Sequence, residues 1–498
     1  MQFNSFQFLV FFPAVLAVYF VIPRKLRYLW LLAASYWFYL SWNVKYGLLL
    51  VLSTVITYCG ALVIDGIRRK EESGNSAKRI LAATLIANLL ILAGFKYLNF
   101  LLQSVQDVLN LLSVRAKLPV FDILLPVGIS FYIFQAIGYT VDVYRGKVMP
   151  ERNILRYALF VSFFPQLVAG PIERSENLMP QLNNLEKIEL WDFQRIQRGC
   201  LIMLYGFLMK MLIADRASVV VDYIYNNYQN FSGAAYLIAT VLFSIQIYCD
   251  FGGYSYIAIG AAMIMGIRLM NNFDAPYLAV SIKDYWKRWH ISLSSWFREY
   301  LYFPLGGNRH GKAKKCRNIL IVNIVSGLWH GAAWNFVLWG LMHGVLLSFG
   351  ELTQPVRKKI LDRGILHRES WLYRLASVVL TYLIILLTVV VFRSRSLGQI
   401  AVLFREIFAH PLDLTGLVTD AGLWFGMRKA EFAALGFFIL LLFVSDLMRD
   451  KRVPFLSWFE QRSWPVRAGT FLLGILAVML FGVYGPGYDA AAFIYFQF

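Results

Sequence analysis

The sequence predicts an all-α polytopic membrane protein. Hydrophobic residues make up 59% of the 498, and charged residues only 15%, whereas ordinary soluble domains carry about a quarter charged residues. Apolar runs long enough to cross a bilayer recur from end to end, the pattern expected when lipid is the solvent. No stretch is both polar and long enough to fold as a separate soluble domain, so residues 1–498 read as one membrane domain.

Taken in order, the apolar runs predict spans at about 6–22, 28–42, 46–66, 80–102, 122–142 and 155–171. Further spans fall at about 196–213, 233–250, 252–270, 318–330 with 333–350, 371–392, 430–447 and 467–485. Several are shorter than the ~20 residues of a straight crossing, which predicts tilted, re-entrant or broken helices and about a dozen crossings in all. The first run lacks a basic leader and a small-residue cleavage site, and reads as a retained span rather than a removed signal peptide.

The basic stretches "PRKLR" (23–27) and "RRKEESGNSAKR" (68–79) lie two spans apart. Both are cytoplasmic if the N-terminus is outside, the orientation favoured by the retention of Lys and Arg on the inner side. "NRHGKAKKCR" (308–317) and "RKKILDRGILHR" (357–368) are placed on the same side. The net charge of +19 is accounted for by this topology and implies no nucleic-acid partner. Four scattered cysteines, Cys59, Cys200, Cys249 and Cys316, suggest neither a disulfide framework nor a zinc site. No repeat of fixed period is visible.

The segment "KDYWKRWHISLSSWFREYLY" (283–302) differs in kind. At helical spacing Trp286, Trp289, His290, Leu293, Trp296, Phe297 and Tyr300 share one face, and Lys283, Asp284, Lys287, Arg288, Arg298 and Glu299 the other. This predicts an amphipathic helix lying along the membrane interface, with His290 on its buried side.

Ionisable groups at membrane depth are costly and often functional. His330, in "SGLWHGAAWNF" (326–336), sits on a polar seam with Asn323 and Ser326 at helical spacing, followed by Asn335 and flanked by Trp329 and Trp334. The residues alone leave it open between a satisfied structural histidine and a reactive one. In "QIYCDFGGYSYIAIG" (246–260), Asp250 beside a glycine pair marks either an unwound cavity-lining segment or a tight crossing where it pairs with a buried cation. In "FPQLVAGPIERSENL" (164–178), Glu173 and Arg174 follow a Gly-Pro that ends an apolar run, which reads as an interfacial turn. His343 lies within a G-x-x-x-G, Gly340 to Gly344, and reads as a packing residue with a hydrogen bond across a helix crossing. His310, in a basic loop, reads as solvated.

Several chemistries are excluded by their missing motifs. There is no G-x-x-x-x-G-K-[ST], no H-E-x-x-H, no G-x-S-x-G and no D-x-D pair. What the residues do offer is histidine as a general base, a role worth ~10²–10⁴ in rate and needing no metal. Transfer of an acyl group from an activated thioester to a hydroxyl demands about that much.

"KDYWKRWHISLSSWFREYLYFPLGGN" followed by "GLWHGAAWNFVLWGLMHG" resembles the membrane-bound O-acyltransferase family, as do "FFPQLVAGPIER", "YCDFGGYSYIAIG" and, more weakly, "VVFRSRS" (390–396). The nearest likeness is to its bacterial polysaccharide branch, typified by the membrane subunit of alginate O-acetyltransferase. The resemblance runs from about 120 to 395, dividing the chain into N-terminal spans 1–118, a catalytic core 119–395 and C-terminal spans 396–498.

The resemblance implies a ring of tilted and broken helices around a central funnel, with His330 as the family's invariant histidine and His290 as its second. In the reading that follows, His330 activates the acceptor hydroxyl, and His290 binds or polarises the thioester. Asp250, Asn335, Trp329, Trp289, Asn323 and Ser326 shape the cavity. No bound cofactor or metal is implied. The donor is acetyl-CoA or another acyl thioester. The acceptor is an exported or cell-wall polysaccharide, reached directly or through an extracytoplasmic partner of the SGNH type, in the lipid of a bacterial plasma membrane. D-alanyl or other acyl transfer to teichoic acid, lipid or protein is the alternative within the family, and a non-enzymatic polysaccharide channel the alternative outside it.

Overall fold

The computed structural model describes residues 1–70, 74–168, 170–362, 370–413 and 424–484. Parts of the basic stretches 68–79 and 357–368, and the end of the last expected span, lie outside them. Among the described residues the regular structure is helical, with one isolated bridge between Trp424 and Met427 in place of any sheet.

The helices run in the order α1 Phe6–Val21, α2 Arg27–Leu40, α3 Val44–Arg69, α4 Gly74–Leu111, α5 Ile129–Arg145, α6 Ile154–Ser162, α7 Ser175–Asn183, α8 Phe193–Asn226 and α9 Gly233–Ile264. They continue as α10 Ile282–Arg288, α11 Ile291–Phe297, α12 Gly311–His330, α13 Trp334–Asp362, α14 Trp371–Arg393, α15 Leu397–Ala409, α16 Lys429–Asp450, α17 Phe455–Glu460 and α18 Trp464–Phe481. Eight are long and apolar enough to cross a membrane, namely α3, α4, α8, α9, α13, α14, α16 and α18, with α1 a shorter apolar helix. The protein is therefore a multi-pass membrane protein. The exposed Leu472, Leu473, Met479 and Leu480 of α18 suit a helix facing lipid, where the backbone bonds to itself and apolar side chains need no cover.

Among the described residues the count is lower than the dozen read from hydropathy. α1, α2 and α5 hold only 16, 14 and 17 residues, α12 opens on a basic stretch, and two further expected spans fail for local reasons. The expected spans 233–250 and 252–270 merge into the single helix α9, because the Gly252–Gly253 pair does not break it. A Cβ on Gly253 would lie 2.8 Å from the Gly206 carbonyl oxygen of α8, so glycine serves a close helix crossing. The expected span 155–171 divides into α6 and a single turn at Phe164–Leu167.

The described residues form two compact units, one of Met1–Met203 with Ile257–Met270, the other of Leu204–Tyr256 with the residues from Asn271 to Tyr484. In the first, the Gly-Pro segment after residue 163 is anchored by buried polar groups. Gln166 donates to the Gln135 side chain (3.0 Å), Phe164 N donates to Ser35 Oγ (3.1 Å), and Glu173 accepts from Met270 N and from the Asn177 side chain.

The second unit holds the histidine segments. The amphipathic stretch 283–302 is not one helix there. It breaks at Trp289–His290 into α10 and α11, followed by a wide helical turn at Arg298–Tyr302. Ser281 caps α10 by accepting from Asp284 N (3.1 Å). Ion pairs fasten its polar side, with Arg288 reaching Asp284 at 3.1 Å and Asp450 of α16 at 2.9 Å, and Lys283 reaching Glu351 of α13 at 2.8 Å. Part of the basic stretch 308–317 is the first two turns of α12 rather than a loop.

Candidate active site

α12 and α13 form a hairpin whose closeness depends on glycine. A Cβ on Gly327 would fall 2.2 Å from the Phe336 carbonyl oxygen, and one on Gly340 would fall 2.3 Å from the Asn323 carbonyl oxygen. Both neighbours are backbone, so nothing yields cheaply. Gly344 packs in the same seam, against Leu320 and Asn323. The hairpin turns immediately after His330, the last residue of α12.

At that turn, His330 is 3% exposed and enclosed by aromatic rings. Trp339 of α13 meets it edge to face at 5.1 Å between centroids, Phe392 of α14 at 5.6 Å, and its neighbour Trp329 at 5.1 Å. The ring of His290 lies 6.3 Å away. Two imidazoles that stand 40 positions apart in the chain are thus brought into one buried place.

His290 is fully buried at the break between α10 and α11. Its backbone is left-handed, with φ +42° and ψ 55°, a conformation costing a non-glycine residue about 1–2 kcal/mol. Such strain persists only where the surroundings impose it, and here they are visible. Asn272 O accepts from Ile291 N (3.0 Å), Arg288 O accepts from Asp274 N (2.9 Å), and Asn272 Oδ1 lies 3.1 Å from His290 Nδ1. Phe251 of α9 packs edge to face on the ring at 4.6 Å, and Trp329 lies at 5.7 Å. Burial, and secondarily the neighbouring His330, holds His290 well below the ordinary imidazole range.

The remaining expected residues divide. Trp329 joins the two histidines. Asn335 is 5% exposed and donates to the carbonyls of Ser394 (2.9 Å) and Phe392 (3.4 Å), satisfying the end of α14 behind the Phe392 ring. Ser326 is buried one turn before His330. Asn323 donates to Ile319 O of its own helix and lies in the α12–α13 seam, which makes it a packing residue. Trp289 stacks on Tyr285 and meets Phe273 edge to face, in an aromatic cluster under α10. Trp334 is 53% exposed and is not part of the site. Asp250 pairs with the buried Lys210 at 2.6 Å, and Lys210 also holds Asp215 at 2.7 Å. Asp250 belongs to a helix crossing, while its neighbour Phe251 reaches the site.

Three residues of the site escape a reading of the sequence. Trp339 and Phe392 look like ordinary span residues, and Asn272 looks like an ordinary loop residue. His343, expected to bond across the α12–α13 crossing, instead accepts from Trp286 Nε1 of α10 (3.2 Å) and lies against Trp339 at 4.7 Å.

Residues 145–390 match the family described as MBOAT, membrane-bound O-acyltransferase family. The chain is 35% identical to a probable alginate O-acetylase AlgI of Pseudomonas syringae pv. tomato, over 90% of this chain and 84% of that protein. The chain belongs to the membrane-bound O-acyltransferase family. It is also 38% identical to a peptidoglycan O-acetyltransferase of Helicobacter pylori, over 64% of this chain and 63% of that protein. A more distant relative is a teichoic acid D-alanyltransferase of Bacillus subtilis, 27% identical over 47% of this chain and 60% of that protein. As a membrane-bound O-acyltransferase the protein is an enzyme that moves an acyl group from a donor to a hydroxyl. The matched region contains His290, His330, Asn272 and Trp339, with Phe392 just beyond it.

Proposed function

We propose that this membrane-bound O-acyltransferase moves an acetyl group from a thioester donor, acetyl-CoA, to hydroxyls of an exported or cell-wall polysaccharide at a bacterial plasma membrane. The observation that carries this reading is the pair of buried imidazoles, His290 and His330, with centroids 6.3 Å apart. The relatives named for alginate and peptidoglycan acetylation support the acetyl group and the glycan.

In this mechanism, His330 takes the proton of the acceptor hydroxyl as its oxygen attacks the thioester carbonyl carbon. The tetrahedral intermediate collapses, the carbon–sulfur bond breaks, and the departing thiolate recovers the proton from the imidazolium. The products are an ester and a free thiol. The aromatic enclosure of Trp329, Trp339 and Phe392 keeps the base in a water-poor place, where the thioester is protected from hydrolysis. Delivery to the polymer is direct or passes through an extracytoplasmic partner of the SGNH type.

The test is transfer of label from radiolabelled acetyl-CoA to alginate or peptidoglycan by purified protein in proteoliposomes, with and without such a partner. Label transfer by the wild type that is lost in His330→Ala, with the variant folded, is the expected result. Transfer retained in His330→Ala removes the general base. A wild type inactive with acetyl-CoA but active with a D-alanyl carrier-protein thioester moves the chain toward the teichoic acid relative, whose own name supports that second reading.

A further inference from the structure

We infer that Asn272 is the positioning residue that fixes the tautomer of His290, so that the Nε2 of this imidazole presents a lone pair to the site. The inference rests on the acyltransferase reading for its function, but its geometry stands independently. Asn272 is 1% exposed and lies in the segment between α9 and α10. Its Oδ1 faces three groups of α11 and the residue before it: Ser292 N at 3.3 Å, Ser292 Oγ at 2.9 Å and His290 Nδ1 at 3.1 Å. Its Nδ2 donates to Ser255 Oγ of α9 at 3.1 Å.

The Ser292 backbone N–H can only donate. The amide atom facing it must therefore be the oxygen. An amide oxygen carries no proton, so a hydrogen bond between it and His290 Nδ1 requires the proton on Nδ1. In the neutral ring Nε2 is then an acceptor.

This assigns a direction to the site. A thioester carbonyl oxygen is itself an acceptor and gains nothing from an Nε2 lone pair, whereas a hydroxyl gains a hydrogen bond. His290 in this tautomer can accept only from a second hydroxyl of the acceptor, because the one proton of the attacking hydroxyl goes to His330, and it does not polarise the thioester as the resemblance implied. Among the described residues, the titratable group that bears on His290 is His330 of α12. Phe251 of α9 and Trp329 supply uncharged faces, and Arg288, two positions earlier, turns to Asp284 and Asp450. The Asn272 amide therefore orients the ring without charging it.

Two measurements test this on the full-length chain in lipid bilayers. The first is ¹⁵N-histidine NMR, with His290→Gln identifying the His290 signals among the six histidines. A protonated Nδ1 with a bare Nε2 is expected, and a protonated Nε2 overturns the inference whether or not any acyl transfer is found. The second is kinetic. Asn272→Ala is expected to lower kcat by about 10- to 100-fold, the usual scale for a lost orienting partner, with little change in KM. Asn272→Asp keeps the acceptor oxygen but adds a charge beside Nδ1. It is expected to stay active and to move the acid limb of the kcat/KM profile upward by about one pH unit or more. An unchanged profile in a folded Asn272→Asp, or wild-type kcat in Asn272→Ala, overturns the positioning role. A wild type that transfers no acyl group overturns the acyltransferase reading instead, leaving the NMR result to decide the tautomer.

Discussion

The indole of Trp339 stands edge to face against the imidazole of His330, with centroids 5.1 Å apart and planes at 86°. On its other side Trp339 meets His343 at 4.7 Å, and it also touches Trp286 at 5.8 Å and Phe392 at 5.2 Å. One side chain thus links the base to α10, α13 and α14. Trp339→Ala is expected to remove about 3–5 kcal/mol of packing, and the freed His330 ring to lose rate even where the protein survives. Trp339→Phe keeps an aromatic partner but leaves a smaller cavity, and is expected to fall between alanine and wild type in stability. Thermal stability in detergent and the acyl-transfer rate separate the two effects. Equal stability and rate for Trp339→Ala and wild type would sink the enclosure argument.

Lys210 lies between two buried carboxylates, Asp250 at 2.6 Å and Asp215 at 2.7 Å. Lys210→Met strands both and is expected to cost about 3–5 kcal/mol, enough to abolish recovery of monodisperse protein. Asp250→Asn leaves the Lys210–Asp215 pair intact and is expected to fold, with activity within a few-fold of wild type. Size-exclusion profiles after heating provide the measurement for both. A folded but inactive Asp250→Asn would return Asp250 to the site as a cavity residue.

What the sequence made legible depended on rarity. A histidine inside an apolar run is conspicuous, so His290 and His330 could be found by inspection, and the amphipathic face around His290 correctly put it on the buried side. The break at Trp289–His290 was not legible, because periodicity reads through it. The left-handed turn is held by Asn272, a residue outside the segment in an unremarkable polar loop. The segment around Asp250 left a helix break and a tight crossing both open for the same reason, since the cation that decides for the crossing, inside an unbroken α9, stands forty positions earlier. Local pattern reports which side chains are out of place, and tertiary partners decide what they do.

Gly327 lets α12 approach α13, and His330 ends the same helix one turn later. Gly327→Ala puts a methyl group 2.2 Å from a backbone carbonyl that can move only with its helix. Separation of the hairpin is expected to cost about 1–3 kcal/mol, the usual scale of overpacking, and to displace His330 from Trp339 and Phe392. The measurable consequence is a fall in kcat larger than the fall in stability explains. Gly66→Ala, at a helical glycine with open space around it, is the control and should leave kcat unchanged, with stability equal or raised by up to about 1 kcal/mol.

Glu173 is buried, and burial raises its pKa above the ordinary carboxylate value against the opposing hydrogen bonds from Asn177 and Met270 N. A raised carboxylate pKa means that folding favours the protonated form. Its contribution is therefore fully present below the unfolded value near 4.5 and is lost as pH rises through the folded value. Glu173→Gln removes that titration. The melting temperature of wild type minus that of Glu173→Gln should fall as pH rises from about 4 to about 8. The fixed cost of refitting the amide shifts this difference but not its slope, and a flat difference would show that Glu173 does not titrate in this range.

Asn335 closes the end of α14 by donating to the Ser394 and Phe392 carbonyls, and Phe392 packs on His330. The two substitutions that follow from this separate polarity from size. Asn335→Ala loses the donor and is expected to cost about 1–3 kcal/mol, because two buried carbonyls lose a partner. Asn335→Asp keeps the size but offers oxygen to oxygen, so it is expected to be worse than alanine in both stability and rate. A side chain that merely filled space would give the opposite order, with the isosteric aspartate tolerated and alanine not. Ranking the melting temperatures of the three proteins therefore decides whether Asn335 acts as the cap of α14 or only as filling beside the base.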